Sequence, residues 1–158
     1  METTGNLKSI NLLNEENECT LKNFSHEDSI LLGELALEII KRKKLNCAME
    51  VRLGEFVVFH ISFVGTSKEN DWWMNRKANV VKLKGHSSLY ERVLSEEKDE
   101  DWFRVNNVEE ENFAIHGGGF PIKLENGQLA GTLLISGLPQ IDDHNLAVEI
   151  LKKFKELK

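Results

Sequence analysis

The chain has 158 residues, 41% hydrophobic and 29% charged, with a formal net charge of −6. That balance excludes global disorder and argues against nucleic-acid binding, which needs a basic face to meet phosphates. A chain of this length removes roughly 70% of its unfolded surface from water on folding, so it needs no disulfide or metal staple.

Residues 1–22 are rich in Asn, Glu, Lys and Thr with poor periodicity, and are expected to be a partly ordered arm in which a short helix around Lys8 to Glu16 can form. A single domain is expected over residues 23–158. Ser25-His26-Glu27-Asp28 has the form of a capping box, and the helix after it presents Leu32, Leu35, Ala36, Ile39 and Ile40 on one stripe. The basic run Lys41 to Lys44 falls at that helix's C-terminal end, where cations complement the dipole. Cys47 to Leu53 and Phe56 to Phe63 read as a hairpin across Gly54, with Val57, Phe59, Ile61 and Phe63 sharing a core-facing side. His60, on the other side, is read as a satisfied structural histidine.

Asp71 can cap a helix running to about Lys84, with Gly85 as its stop and a second helical piece from Ser87 to about Leu94. Trp72, Trp73 and Met74 at its start could stack a planar ligand or simply anchor packing. Glu96 to Asp101 reads as a solvated acidic loop. Asn126-Gly127 between Phe120–Leu124 and Gln128–Ser136 is a strong hairpin signal, because a primed turn needs positive φ at its centre. Both faces of the second of these strands are mostly small or apolar, which predicts a central or doubly covered position. Asp142 or Asp143 can accept from the first amides of a closing helix that buries Ala147, Ile150, Leu151 and Phe154. Strand pairs joined by tight turns and long helices at each end predict an α/β fold of the α+β kind: an antiparallel sheet flanked by helices.

Cys19 and Cys47 have no paired spacing and no secretory signal ahead of them, so a cytoplasmic location is expected. The longest apolar run, Phe56 to Val64, is too short to span a bilayer and is interrupted by His60 and Ser62, so no membrane insertion is expected.

The segment His116-Gly-Gly-Gly-Phe-Pro-Ile, followed by Asn-Gly, a small-residue apolar strand, Ser136-Gly137 and Asp142-Asp143-His144, resembles the C-terminal signature of the haem-degrading-domain family. This is the HbpS/GlcG-like group, in particular its branch of small cytosolic proteins of bacteria and fungi. Arg76-Lys77-Ala78-Asn79-Val80-Val81 and Gly85-His86-Ser87-Ser88 resemble the central helical segment of that branch, and the match covers roughly Asn23 to Lys158. The resemblance implies a profilin-like or PAS-like sandwich and a homo-oligomer, a ring or double ring. It implies no single reaction.

His116 beside Gly117, Gly118 and Gly119 is the sharpest candidate for chemistry. A neutral imidazole can bind haem iron or another metal, and bare glycine amides can hold a carboxylate or propionate. Alternatively the glycines make a tight strand entry and His116 serves the backbone. Arg76 and Lys77 could clamp a carboxylate or form a charged helix face. His86 and His144 are further candidates, and His86, His116 and His144 together would make a three-histidine metal site. No Cys-x-x-Cys, HExxH, P-loop or nucleophile elbow occurs. Three functions follow: a binder of a small ligand such as haem or a carboxylate, a noncatalytic oligomeric scaffold for a protein partner, and an enzyme acting on a small carboxylic acid.

Overall fold

The computed structural model describes residues 4–158; residues 1–3 of the expected arm lie outside the described residues. In chain order the elements are α1 (Ser9–Glu18), α2 (His26–Lys43), β1 (Ala48–Leu53), β2 (Phe56–Ser62), α3 (Lys68–Lys84), α4 (Ser88–Glu97) and α5 (Trp102–Asn106). A 3-10 turn (Glu110–Asn112), β3 (Gly119–Lys123), β4 (Leu129–Ser136) and α6 (Gln140–Leu157) follow.

The sheet has four strands in the order β2-β1-β4-β3, every neighbour antiparallel. β4 is central, as its two apolar faces require. Leu133 and Ile135 point into the main core with α2 and α6, whereas Leu134 points the other way, against Met74 and Ala78 of α3. The fold is therefore an α+β sandwich with helices on both faces of one antiparallel sheet.

The capping box at α2 forms as expected: Ser25 Oγ accepts from the Asp28 amide at 3.1 Å and Asp28 accepts from the Ser25 amide at 2.9 Å. α2 then lies flush on the sheet at Gly33, where a Cβ would sit 2.2 Å from the Phe59 ring. α3 starts earlier than Asp71. Ser67 caps it, accepting from the Glu69 amide while Asn70 reaches back to the Ser67 amide, and a Ser–Asn box one turn upstream wins over a lone Asp. Asp71 instead faces His60 Nε2 at 3.6 Å. His60 is otherwise bonded to Glu50 at 2.9 Å and Ser62 at 3.0 Å.

α1 is a regular helix that docks on α4, burying Leu12 against Leu89 and Val93. At the far end of the chain Pro139 precedes α6, and no side chain caps that helix. The turn from β4 into α6 and the entry into β3 therefore meet beside the N-terminal half of α3, and a cavity lies there.

Candidate functional site

The three glycines let three elements close on bare backbone. A Cβ on Gly117 would lie 2.1 Å from the Gln140 carbonyl oxygen, and one on Gly118, at φ +127°, would lie 2.2 Å from that of Ile135. Neither position tolerates a side chain. Ser88 locks the turn: its hydroxyl donates to the His116 carbonyl at 2.6 Å and accepts from the Gly119 amide at 3.0 Å.

Beneath the turn sits a buried ion pair. Lys77, 3% exposed, donates from Nζ to the Ile135 carbonyl at 2.9 Å and meets Asp143 Oδ2 at 3.4 Å. Asp143 Oδ1 accepts from the Leu138 amide at 3.0 Å. Burial pushes the Asp143 carboxyl up to about 6, against the downward pull of Lys77 and of the Leu138 and Gly137 amides. Asp143 thus grips Leu138, two residues ahead of α6, and a lysine across the layer, rather than capping the helix conventionally.

Above the pair is a cavity of about 360 Å³ whose walls include Trp73, Lys77, His116, Ser136, Gln140 and Asp143. The His116 ring stands edge-on to Trp73, with centroids 4.9 Å apart and planes at 86°. Burial, then the nearby Arg92, Lys77 and Arg76 cations, push its imidazole down to about 4. It is neutral at pH 7, and neither ring nitrogen hydrogen-bonds to another described residue. Such an imidazole can act as a metal ligand, a proton acceptor or a hydrogen-bond donor.

The other candidate residues lie nearby in different roles. Arg76 packs against both Trp72 and Trp73, 4.1 and 4.8 Å from the two ring centroids, and donates to the Glu110 and Phe113 carbonyls at 2.6 and 3.1 Å. It holds the approach to His116 in place. His86 is bonded through Nδ1 to Glu16 at 2.9 Å and stacks near Tyr90, and His144 is bonded through Nε2 to Glu15 at 2.8 Å. The neighbouring carboxylates of α1 therefore take up one ring nitrogen on each of two of the three histidines, while His144 Nδ1 is buried without a partner among the described residues. Among the described residues no group of three or more His, Cys, Asp or Glu side chains is disposed to hold a metal.

Sequence reasoning missed Gln140, the pairing of Lys77 with Asp143, and the two carboxylates of α1. A signal for the first two was present. Lys77 shares the inward stripe of α3 with Met74, Ala78 and Val81, and Gln140 and His144 share that of α6 with Ala147 and Leu151. A polar residue on an apolar stripe needs a buried partner. Glu15 and Glu16 gave no comparable signal, because their partners are 129 and 70 residues away in sequence.

Comparison with known proteins adds a lineage to this geometry. Residues 24–152 match the family model described as Haem degrading protein HbpS-like. A UPF0303 protein of Streptomyces avermitilis is 34% identical over 140 residues, covering 89% of this chain and 86% of that protein. The crystal structure of the Ybr137w protein superimposes with a TM-score of 0.85 at 28% identity, covering 95% of this chain and 89% of the other. A structure titled as a PduOC:heme complex shares the fold alone, with a TM-score of 0.68 at 14% identity and coverage of 83% and 94%.

Proposed function

We propose that this chain, which belongs to the HbpS-like family of haem-degrading proteins, is a homo-oligomeric binder of a small ligand held in the cavity beside His116. The observation that carries the reading is a neutral imidazole, without a hydrogen-bond partner among the described residues, in a cavity of about 360 Å³. Ligand sites run from roughly 300 to 1,000 Å³ and combine a few convergent polar groups with apolar walls. The cavity sits near the low end of that range.

A haem-type ligand fits the donor set in kind. His116 offers iron a neutral nitrogen, and Trp73, which lines the cavity, offers a planar group apolar surface. When bound, haem would supply the redox chemistry of its iron; the chain's own part is to hold it, orient it and limit water at His116. That a neighbour of the same fold is titled as a haem complex supports haem as the first ligand to test. A small carboxylate is the second.

Association of copies is supported by β2. This edge strand carries no lysine or proline on its outer side and leaves Phe56 64% and Val57 44% exposed, with Ile30 of α2 also exposed. Unprotected apolar edges pair with other edges, and two antiparallel copies of β2 can do so about a two-fold axis. A cytoplasmic setting is supported by two buried, unpaired thiols, Cys19 and Cys47. Among the described residues no helix is long and apolar enough to cross a membrane.

Haemin added to the purified protein should give a saturable Soret shift that His116→Ala weakens by about tenfold or more. An unshifted, nonsaturating spectrum contradicts the reading. Light scattering should report a monodisperse assembly that Val57→Lys dissociates, and a monomer at every working concentration contradicts the oligomer.

A further inference from the structure

We propose that the end of this cavity where Gln140 opens α6 is a carboxylate subsite, taking either a porphyrin propionate or a free small carboxylic acid. The proposal rests on the ligand reading above and names the chemistry of one part of that ligand.

Two independent observations meet there. α6 is 18 residues long, starts directly after Pro139 and receives no side-chain cap, so its first-turn amides lack the acceptor that a Ser, Thr, Asp or Asn would supply. The positive end of the helix dipole faces the same end of the site. Gln140 itself is 4% exposed and lines the cavity. Its Oε1 accepts from the Gly117 amide at 3.2 Å, which fixes the orientation of the carboxamide, and its Nε2 is buried with no hydrogen-bond partner among the described residues. Buried donors are normally satisfied, and one without a partner on a residue that lines a cavity calls for an acceptor from a ligand.

Charged groups of both signs surround the site. Lys77 lines the cavity, and Arg76 and Arg92 are close enough to act on His116. Of the acidic groups, Asp143 is committed to Lys77 and the Leu138 amide, and Glu69 lines the cavity on its exposed side, so an anion is selected by the Gln140 donor and the first-turn amides of α6 rather than by net charge. A ligand with a carboxylate at Gln140 would present its remainder to His116 and Trp73.

The test compares charged and neutral forms of the same probe: haemin against haemin dimethyl ester, and propionate against propionamide, each titrated into the full chain by calorimetry. The wild type should prefer the acid form at least fivefold in one or both pairs. Gln140→Glu keeps the acceptor for the Gly117 amide, replaces the open donor with an anionic oxygen, and should erase that preference; Gln140→Met serves if the glutamate variant does not fold. A preference for haemin over its diester identifies a porphyrin propionate, and one for propionate over propionamide identifies a free acid. Equal affinities within both pairs, or a preference that both Gln140 variants leave intact, overturn the subsite even where haemin still binds in a His116-dependent way. Failure of all four probes to bind overturns the subsite and the ligand reading together.

Discussion

His86 and His144, set against His116, are the same residue type put to different uses. Glu15 and Glu16 of α1 reach across to bond His144 and His86. Glu16, 3% exposed, also accepts from the Ser87 amide at 3.1 Å and faces Lys123 at 3.8 Å. These contacts fasten α1 to the body of the domain. Among the described residues the His116 side chain has a ring contact with Trp73 and three cations nearby. Whether a histidine is structural or available is decided by which carboxylates the fold brings within reach, not by its neighbours in sequence.

The sharpest way to break this contrast is to damage the floor of the cavity. Lys77→Ala would leave the Asp143 carboxylate buried without its cation, and a loss of about 3–5 kcal/mol in urea unfolding is expected. Lys77→Ala with Asp143→Ala should recover part of that loss. Next comes Gly118→Ala, which forces a side chain into φ +127° and against the Ile135 carbonyl, and should cost about 3 kcal/mol in the same assay.

On the opposite side, Glu16→Ala strips His86, Ser87 and Lys123 of a shared partner. It should cost about 2 kcal/mol in thermal or urea unfolding. Haemin affinity should nevertheless stay within about twofold of wild type, because the His116 cavity shares no partner with Glu16. A large affinity loss would mean that α1 and the cavity are one unit.

The smallest effect is one of pH. An ordinary histidine protonates near 6.5, but His116 is held down to about 4, so the imidazole stays neutral as the pH falls from 8 to 5. His116-dependent binding should be flat over that interval and fall only as the pH approaches 4. The sign for stability follows: between 6.5 and 4 the unfolded chain takes up a proton that the native His116 refuses, so this group lowers stability as pH falls. Asp143 acts in reverse. Between about 6 and 3.8 its native carboxyl binds a proton that the unfolded one does not, so this group raises stability as pH falls. Asp143→Asn should therefore steepen the acid-side loss of stability followed by circular dichroism.

Local chemistry was legible in the sequence where neighbours supply both partners. The Ser25–Asp28 box, the Asn126-Gly127 hairpin and the central position of β4 follow from residues within a few positions of one another. The three glycines announced a close approach, but not that Gln140, Ile135 and Lys77 are what approaches. Long-range partnerships were not legible, because a carboxylate such as Glu16 looks the same on a solvated helix as it does buried against His86. Arg76 shows the same limit: its sequence gives a cation, and only the fold shows its guanidinium spent on two indoles and two carbonyls.

The most direct measurement is an NMR titration of histidine ring nitrogens. In free protein the account predicts a His116 imidazole neutral from pH 8 down to 5, and on adding haemin a change at His116 while the His86 and His144 signals hold their positions. Haemin-induced changes at His86 or His144 with His116 unmoved, or a His116 that protonates near 6.5, would contradict it.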